Sequence, residues 1–211
     1  MHGNVTIGGI FELDAQAFWA VIGTYNTQTI SAQVILLAVL AVALTLSYTG
    51  VVKWSAKLAL GVANLYIGFV FFGAFGTQSI QKFFALPLYL CCGGLFIFES
   101  INNREDRLNR PGIWQAILLL LFVLYPVVSL LLGNVFPRMV THIMPCPVVS
   151  LSIAVYSGYQ KKNKLLLALL AVWGLTGVKS ILFHAYEDLI LLMCGVYCTY
   201  LYIKEVKQTR R

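Results

Sequence analysis

Charge is what this chain has least of. Only 11% of its 211 residues are Asp, Glu, Lys or Arg, against 59% hydrophobic, where a globular chain carries about 25% charged residues. So little polar surface excludes a water-soluble domain. Acidic residues are scarcest, 8 against 15 basic. Chemical signatures are missing as well: no metal-ligand string, phosphate-cradling glycine loop or nucleophile elbow stands in the sequence. Residues 1–30 lack the basic start and apolar run of a secretory signal. No internal repeat or low-complexity tract is visible, and the prolines do not recur at equivalent places in the two halves, which argues against a transporter built from two parallel three-helix units. The last apolar run holds no lysine for a retinal Schiff base. The five cysteines, Cys91, Cys92, Cys146, Cys194 and Cys198, all fall inside apolar runs, where a thiol packs as a small hydrophobe. They trace no disulfide framework.

What is there is hydrophobic length. Apolar runs at about 33–52, 55–75, 79–98, 113–133, 138–158, 165–183 and 187–203 each approach the ~20 residues of a bilayer-crossing helix. The expected fold is therefore all-α, a seven-helix transmembrane bundle over 33–204, with an outer segment 1–32 before it and a basic tail 205–211 after it. Alternate connections hold Lys53, Lys57, Arg104, Arg107, Arg110, Lys161, Lys162 and Lys164, and the tail adds Lys204, Lys207, Arg210 and Arg211; only Lys82, Arg138 and Lys179 fall on the other side. The positive-inside rule then sets the N-terminus outside and the C-terminus in the cytoplasm, in a plasma (inner) membrane. The net charge of +7 follows from that asymmetry and implies no nucleic-acid partner. The expected partners are the lipid bilayer and a membrane protein or a second copy of the chain. Before the first run, Ile10, Phe11, Leu13, Phe18, Val21 and Ile22 recur at helical spacing between polar residues, which predicts an interfacial amphipathic helix over 10–23.

Polar chemistry concentrates in the outer halves of the last four runs. Counting ~1.5 Å per residue from each turn sets Tyr125, Cys146, Trp173 and Cys194 at one depth and Lys179 level with Asp188. An ion pair from Lys179 to Asp188 or Glu187 is the simplest structural account, since a lone charge at that depth is costly. The functional account is an outward-facing cavity lined by Tyr125, Arg138, His142, Cys146, Trp173, Lys179, His184 and Asp188. Pro145-Cys146-Pro147 should break or kink the fifth run, because each proline removes a donor and clashes with the carbonyl four residues back. Cys146 with His142 one turn above offers two ligands to a soft metal ion; no cofactor is otherwise expected. Cys146 is also the natural nucleophile of a thiol enzyme, but an apolar setting disfavours the thiolate that would react, and no catalytic residue is assigned.

Phe18, Tyr25-Asn26, Tyr125-Pro126, Gly133-Asn134-Val135-Phe136-Pro137, Pro145-Cys146-Pro147, Trp173, Gly177 and Glu187-Asp188 together resemble a bacterial membrane family, domain of unknown function 6064. Two positions depart from its pattern. Asn134 stands where the family has histidine, and Val148-Val149-Ser150 stands where it is threonine-rich. The first departure weakens any mechanism needing a base there. The resemblance implies a seven-helix membrane protein and brings no activity with it. On these grounds the expected function is binding or transport of a small solute or ion through the cavity. A non-catalytic accessory subunit is the alternative.

Overall fold

A computed structural model describes residues 7–77, 81–181 and 185–209. The long apolar runs become helices, in which each segment satisfies its own backbone hydrogen bonds. Helix α1 spans Ile7–Thr49 and ends at Gly50, whose φ of 76° suits only glycine. Helix α2, Ser55–Tyr66, runs on as a π-helix over Ile67–Phe75. Helix α3, Leu86–Asn102, is entered through a π-helical turn at Gln81–Ala85. Then follow α4 (Ile113–Leu131), α5 (Pro145–Tyr156), α6 (Lys164–Leu175, extended as a 3-10 helix over Thr176–Ile181) and α7 (Leu189–Thr209, preceded by a 3-10 turn at Tyr186–Asp188). An isolated bridge between Leu108 and Tyr159 is the one extended pairing among the described residues.

Five of these helices are long and apolar enough to cross a membrane: Gln16–Thr49, Ser55–Phe75, Lys82–Asn102, Ile113–Leu131 and Tyr186–Gln208. The fifth and sixth expected spans are shorter. Helix α5 has 12 residues, ~18 Å at 1.5 Å each, little more than half of a ~30 Å hydrocarbon layer. Residues 138–144, expected to be helical, are irregular.

The separate surface helix expected at 10–23 is instead continuous with the first span, in one helix of 43 residues. The polar stretch 24–33, which reads as a break, stays helical for two reasons. Thr24, Thr27 and Thr29 donate their hydroxyls to the carbonyls four residues back, and Asn26 and Gln33 have partners across the bundle. Asn26 Nδ2 donates to the carbonyls of Pro137 and Met139, both at 2.8 Å. Gln33 Oε1 accepts from Thr141 Oγ1 at 2.6 Å, and Tyr25 OH donates to Ile143 O at 2.6 Å. One face of α1 therefore supplies the hydrogen bonds that the irregular segment 137–143 cannot make for itself. Irregular backbone that is buried needs partners of this kind.

Helices α6 and α7 approach closely at glycines. A Cβ on Gly174 would lie 2.5 Å from Gly195 Cα, and one on Gly177 would lie 2.7 Å from both Asp188 O and Leu192 N. Glycines, having no Cβ, let the two backbones meet in this way, and here the approach fixes the start of α7 against α6. At the opposite end of the bundle, the loops after α3 and α5 close over a buried ion cluster. Lys57 is fully buried, with Nζ 3.1 Å from Asp106 Oδ2, 3.8 Å from Glu99 Oε2 and 4.3 Å from the centre of the Tyr159 ring.

Candidate functional site

The Pro-Cys-Pro motif starts a helix and kinks none. Met144 is the N-cap of α5, Pro145 its first residue, and the first intrahelical bond runs from Val148 N to Met144 O. Leading N–H groups of a helix have no intrahelical acceptor, so prolines at the first and third positions forfeit nothing, and proline's fixed φ suits the first turn. Of the break or kink expected at Pro145 and Pro147, the structure has the break, in the form of a helix start. Its flanking carbonyl is held from α3, where Tyr89 OH donates to Pro145 O at 2.6 Å.

That helix end presents Cys146 to the start of α7. Cys146 Sγ donates to Asp188 Oδ2 at 3.1 Å, and Tyr125 OH from α4 donates to Asp188 Oδ1 at 3.4 Å. The neighbouring carboxylate faces the other way. Glu187 is fully buried, and its Oε1 accepts from Ser129 Oγ at 2.9 Å and from Asn134 Nδ2 at 3.3 Å. Ser129 Oγ also accepts the backbone N–H of Val140 at 3.0 Å, which ties α4, the irregular segment and α7 together. Glu187 Oε2 is buried without a hydrogen-bond partner. Asn134 is therefore a donor to a carboxylate.

On the Asp188 side lies a cavity of ≈ 200 Å³. Phe18 and Ile22 of α1, Phe71 and Phe72 of the first π-helix, Phe84 of the second and Trp173 of α6 supply apolar wall. Cys146, Thr176, Lys179, Ser180 and Asp188 supply its polar groups. Phe72, Tyr89 and Trp173 pack edge-on or tilted with ring centres 5.0 to 5.6 Å apart. Ser180 is almost fully buried and its Oγ has no hydrogen-bond partner. Every helix that reaches the cavity, apart from α1, departs from regular α-winding there. α2 and α3 turn π, α5 begins, and α6 and α7 turn 3-10. Such departures concentrate at functional positions.

Of the eight residues proposed from sequence, Cys146, Trp173, Lys179 and Asp188 line this cavity, and Tyr125 reaches it through Asp188. Arg138 is exposed and lies instead beside Gly23 on α1, lining a shallow depression there. His142 points at α4: its Nε2 is 3.2 Å from Val123 O and its ring packs on Phe122. Cys146 meets Asp188 and Tyr125 rather than His142, and no group of three His, Cys, Asp or Glu suited to a metal is found among the described residues. His184 lies outside the described residues. Lys179 joins neither Glu187 nor Asp188 in an ion pair; it is exposed at the cavity. Sequence reasoning missed Ser129, Thr176 and Ser180, since hydroxyls in apolar helices carry no pattern of their own. It also missed α1, because polar residues before the first span read as surface.

Among the residues that carry the family resemblance, Tyr25, Asn26, Tyr125, Asn134, Cys146, Glu187 and Asp188 make the hydrogen bonds around this helix end, and a family model matches residues 15–211. The chain belongs to the family of unknown function DUF6064. Among curated proteins and among solved structures, nothing matches this DUF6064 chain.

Proposed function

We propose that this DUF6064 protein is an integral membrane protein that binds, and by extension carries, a small solute through the cavity beside Asp188. In this reading the chain crosses the membrane seven times. Helices α5 and α6 act as short crossings completed by the irregular segment before α5 and the 3-10 turns after α6, with the N-terminus outside and the cavity opening outward. One observation carries the reading: a cavity with a carboxylate, an ammonium and an unpartnered buried hydroxyl, at the level where four neighbouring helices change their winding and a fifth begins. Intramembrane ionisable groups are functional sites by default. Scaffolding alone needs neither the cavity nor the charges.

The test is access. Cys91 is the only exposed cysteine and Cys146 the only partly exposed one, so a Cys91→Ala background isolates Cys146. A membrane-impermeant maleimide applied to intact cells should label Cys146 from the N-terminal side without denaturant. Labelling only after denaturation would mark a closed packing defect and end the proposal. Reporter fusions after Arg110 and Arg211 should both report cytoplasm. The accessory-subunit reading draws on a different observation: only 22% of the most apolar window of Gln16–Thr49 is buried. A helix that bare has room for a partner or a second copy, and a stoichiometric companion in native membranes would favour it.

A further inference from the structure

We infer that the ligand of this cavity is a small amphoteric molecule, carrying an ammonium and a carboxylate on one apolar framework. The inference rests on the reading of the cavity as a solute site. Asp188 and Lys179 both face the same space, yet no ion pair joins them. Opposite charges sharing an apolar site normally neutralise each other, because a lone charge there is costly. Held apart, Asp188 on the cavity wall leaves its counter-charge to come from the occupant, and Lys179, exposed at the cavity, offers a cation to that occupant's anionic end. A simple cation would satisfy Asp188 and be repelled by Lys179, and a simple anion the reverse. A molecule with both charges satisfies both.

The remaining polar groups agree with this. The Asp188 oxygens accept one hydrogen bond each from Cys146 and Tyr125, and a carboxylate offers about four acceptor positions, so capacity is left for an ammonium. Ser180 follows Lys179 in the chain, lines the same cavity and has a buried hydroxyl without a partner, a free donor for a carboxylate. Between the charged groups the walls are aromatic, led by Phe72 and Trp173. Such walls suit an apolar side chain and attract an ammonium by cation–π interaction. At ≈ 200 Å³ the cavity lies below the roughly 300–1,000 Å³ of drug-sized pockets, which points to a molecule of amino-acid size.

The experiment is equilibrium dialysis of the purified full chain in lipid nanodiscs against four radiolabelled probes: L-phenylalanine, its methyl ester (cation only), N-acetylphenylalanine (anion only) and 2-phenylethanol (neutral). The amphoteric probe should bind at one site per chain, at least tenfold tighter than the ester or the acetyl derivative. Lys179→Met, at an exposed position, should weaken phenylalanine at least tenfold and leave the ester unweakened; Ser180→Ala should weaken phenylalanine and not the ester. Asp188→Asn should weaken phenylalanine and ester alike. Two results overturn the inference while sparing the binding site: equal affinity for ester and parent with no effect of Lys179→Met, or saturable binding of 2-phenylethanol alone. Absence of saturable binding by all four, together with no labelling of Cys146, overturns the site itself.

Discussion

Replacing Lys57 by methionine should be among the most damaging single changes outside the cavity. The side chain is 0% exposed, and Asp106 and Glu99, 5% exposed each, approach it at 3.1 and 3.8 Å. At an effective dielectric of about 20 these separations correspond to about 5 and about 4 kcal/mol of attraction. Most of that offsets the desolvation of the three groups, so the cluster is nearly neutral as a whole. Its loss is not neutral. Methionine fills the space but leaves two carboxylates in a site built for a cation, with Asn103 Nδ2 on Glu99 at 2.7 Å and Lys161 N on Asp106 at 3.4 Å as their remaining donors. Removing one partner of a buried pair costs ~3–5 kcal/mol. The assay is reversible unfolding in mixed detergent micelles, comparing Lys57→Met with a variant that also carries Glu99→Gln and Asp106→Asn. The single variant should lose ~3–5 kcal/mol and the combined one distinctly less, because neutral amides do not need the cation. A loss below about 1 kcal/mol in Lys57→Met, or equal losses in both, would refute the reasoning and mean that water enters the cluster.

Three further outcomes follow from particular contacts. Gly195→Val should force α6 and α7 apart, since a Cβ there already overlaps the Gly174–Leu175 backbone; overpacking of this kind costs ~1–3 kcal/mol or more, read as a lower unfolding midpoint and weaker ligand retention. Asn26→Leu strips the donors from Pro137 O and Met139 O at roughly 1–3 kcal/mol per orphaned group, and should raise hydrogen exchange in 137–144 while α2 and α3 stay protected. At the surface, Lys53 Nζ lies 2.8 Å from Glu105 Oε2, and that contact holds the Glu105 carboxyl below its ordinary range. With the folded value depressed, its small stabilisation is present at neutral pH, above the unfolded value, and is lost as pH falls through the folded one; Lys53→Met should move the Glu105 NMR titration upward, toward the ordinary carboxylate range.

Length and apolarity made the helices legible: the second span, 55–75, has the same bounds in sequence and structure, while the last, expected over 187–203, runs on to Thr209. The winding changes were not legible. Whether Ile67–Phe75 closes π or α turns depends on what packs beside it, and a run of apolar residues looks the same either way. Proline was read with the right physics in the wrong place. Pro145 and Pro147 do forfeit donors, but the penalty vanishes at a helix start, and only the contacts of residues 137–143 with α1 show that a start lies there. Depth counting set Tyr125 level with Cys146 and placed Asp188 nearer the surface beside Lys179; in the structure both Tyr125 and Cys146 bond to Asp188. It misplaced Arg138 and His142, because counting fixes height and says nothing of azimuth.

The pairing of α1 with the irregular segment explains why one element does so much here. An irregular stretch packed among apolar helices must find acceptors and donors, and in this chain Tyr25, Asn26 and Gln33 supply them from a single helix face. The same helix contributes Phe18 and Ile22 to the cavity wall one to two turns earlier. Cavity wall and loop support are therefore mechanically one piece. A shift of α1 along its axis would change the hydrogen bonds of 137–143, and through them the position of Cys146 against Asp188. An occupant that touches Phe18 and Asp188 together would thus be coupled to the backbone between α4 and α5 through α1.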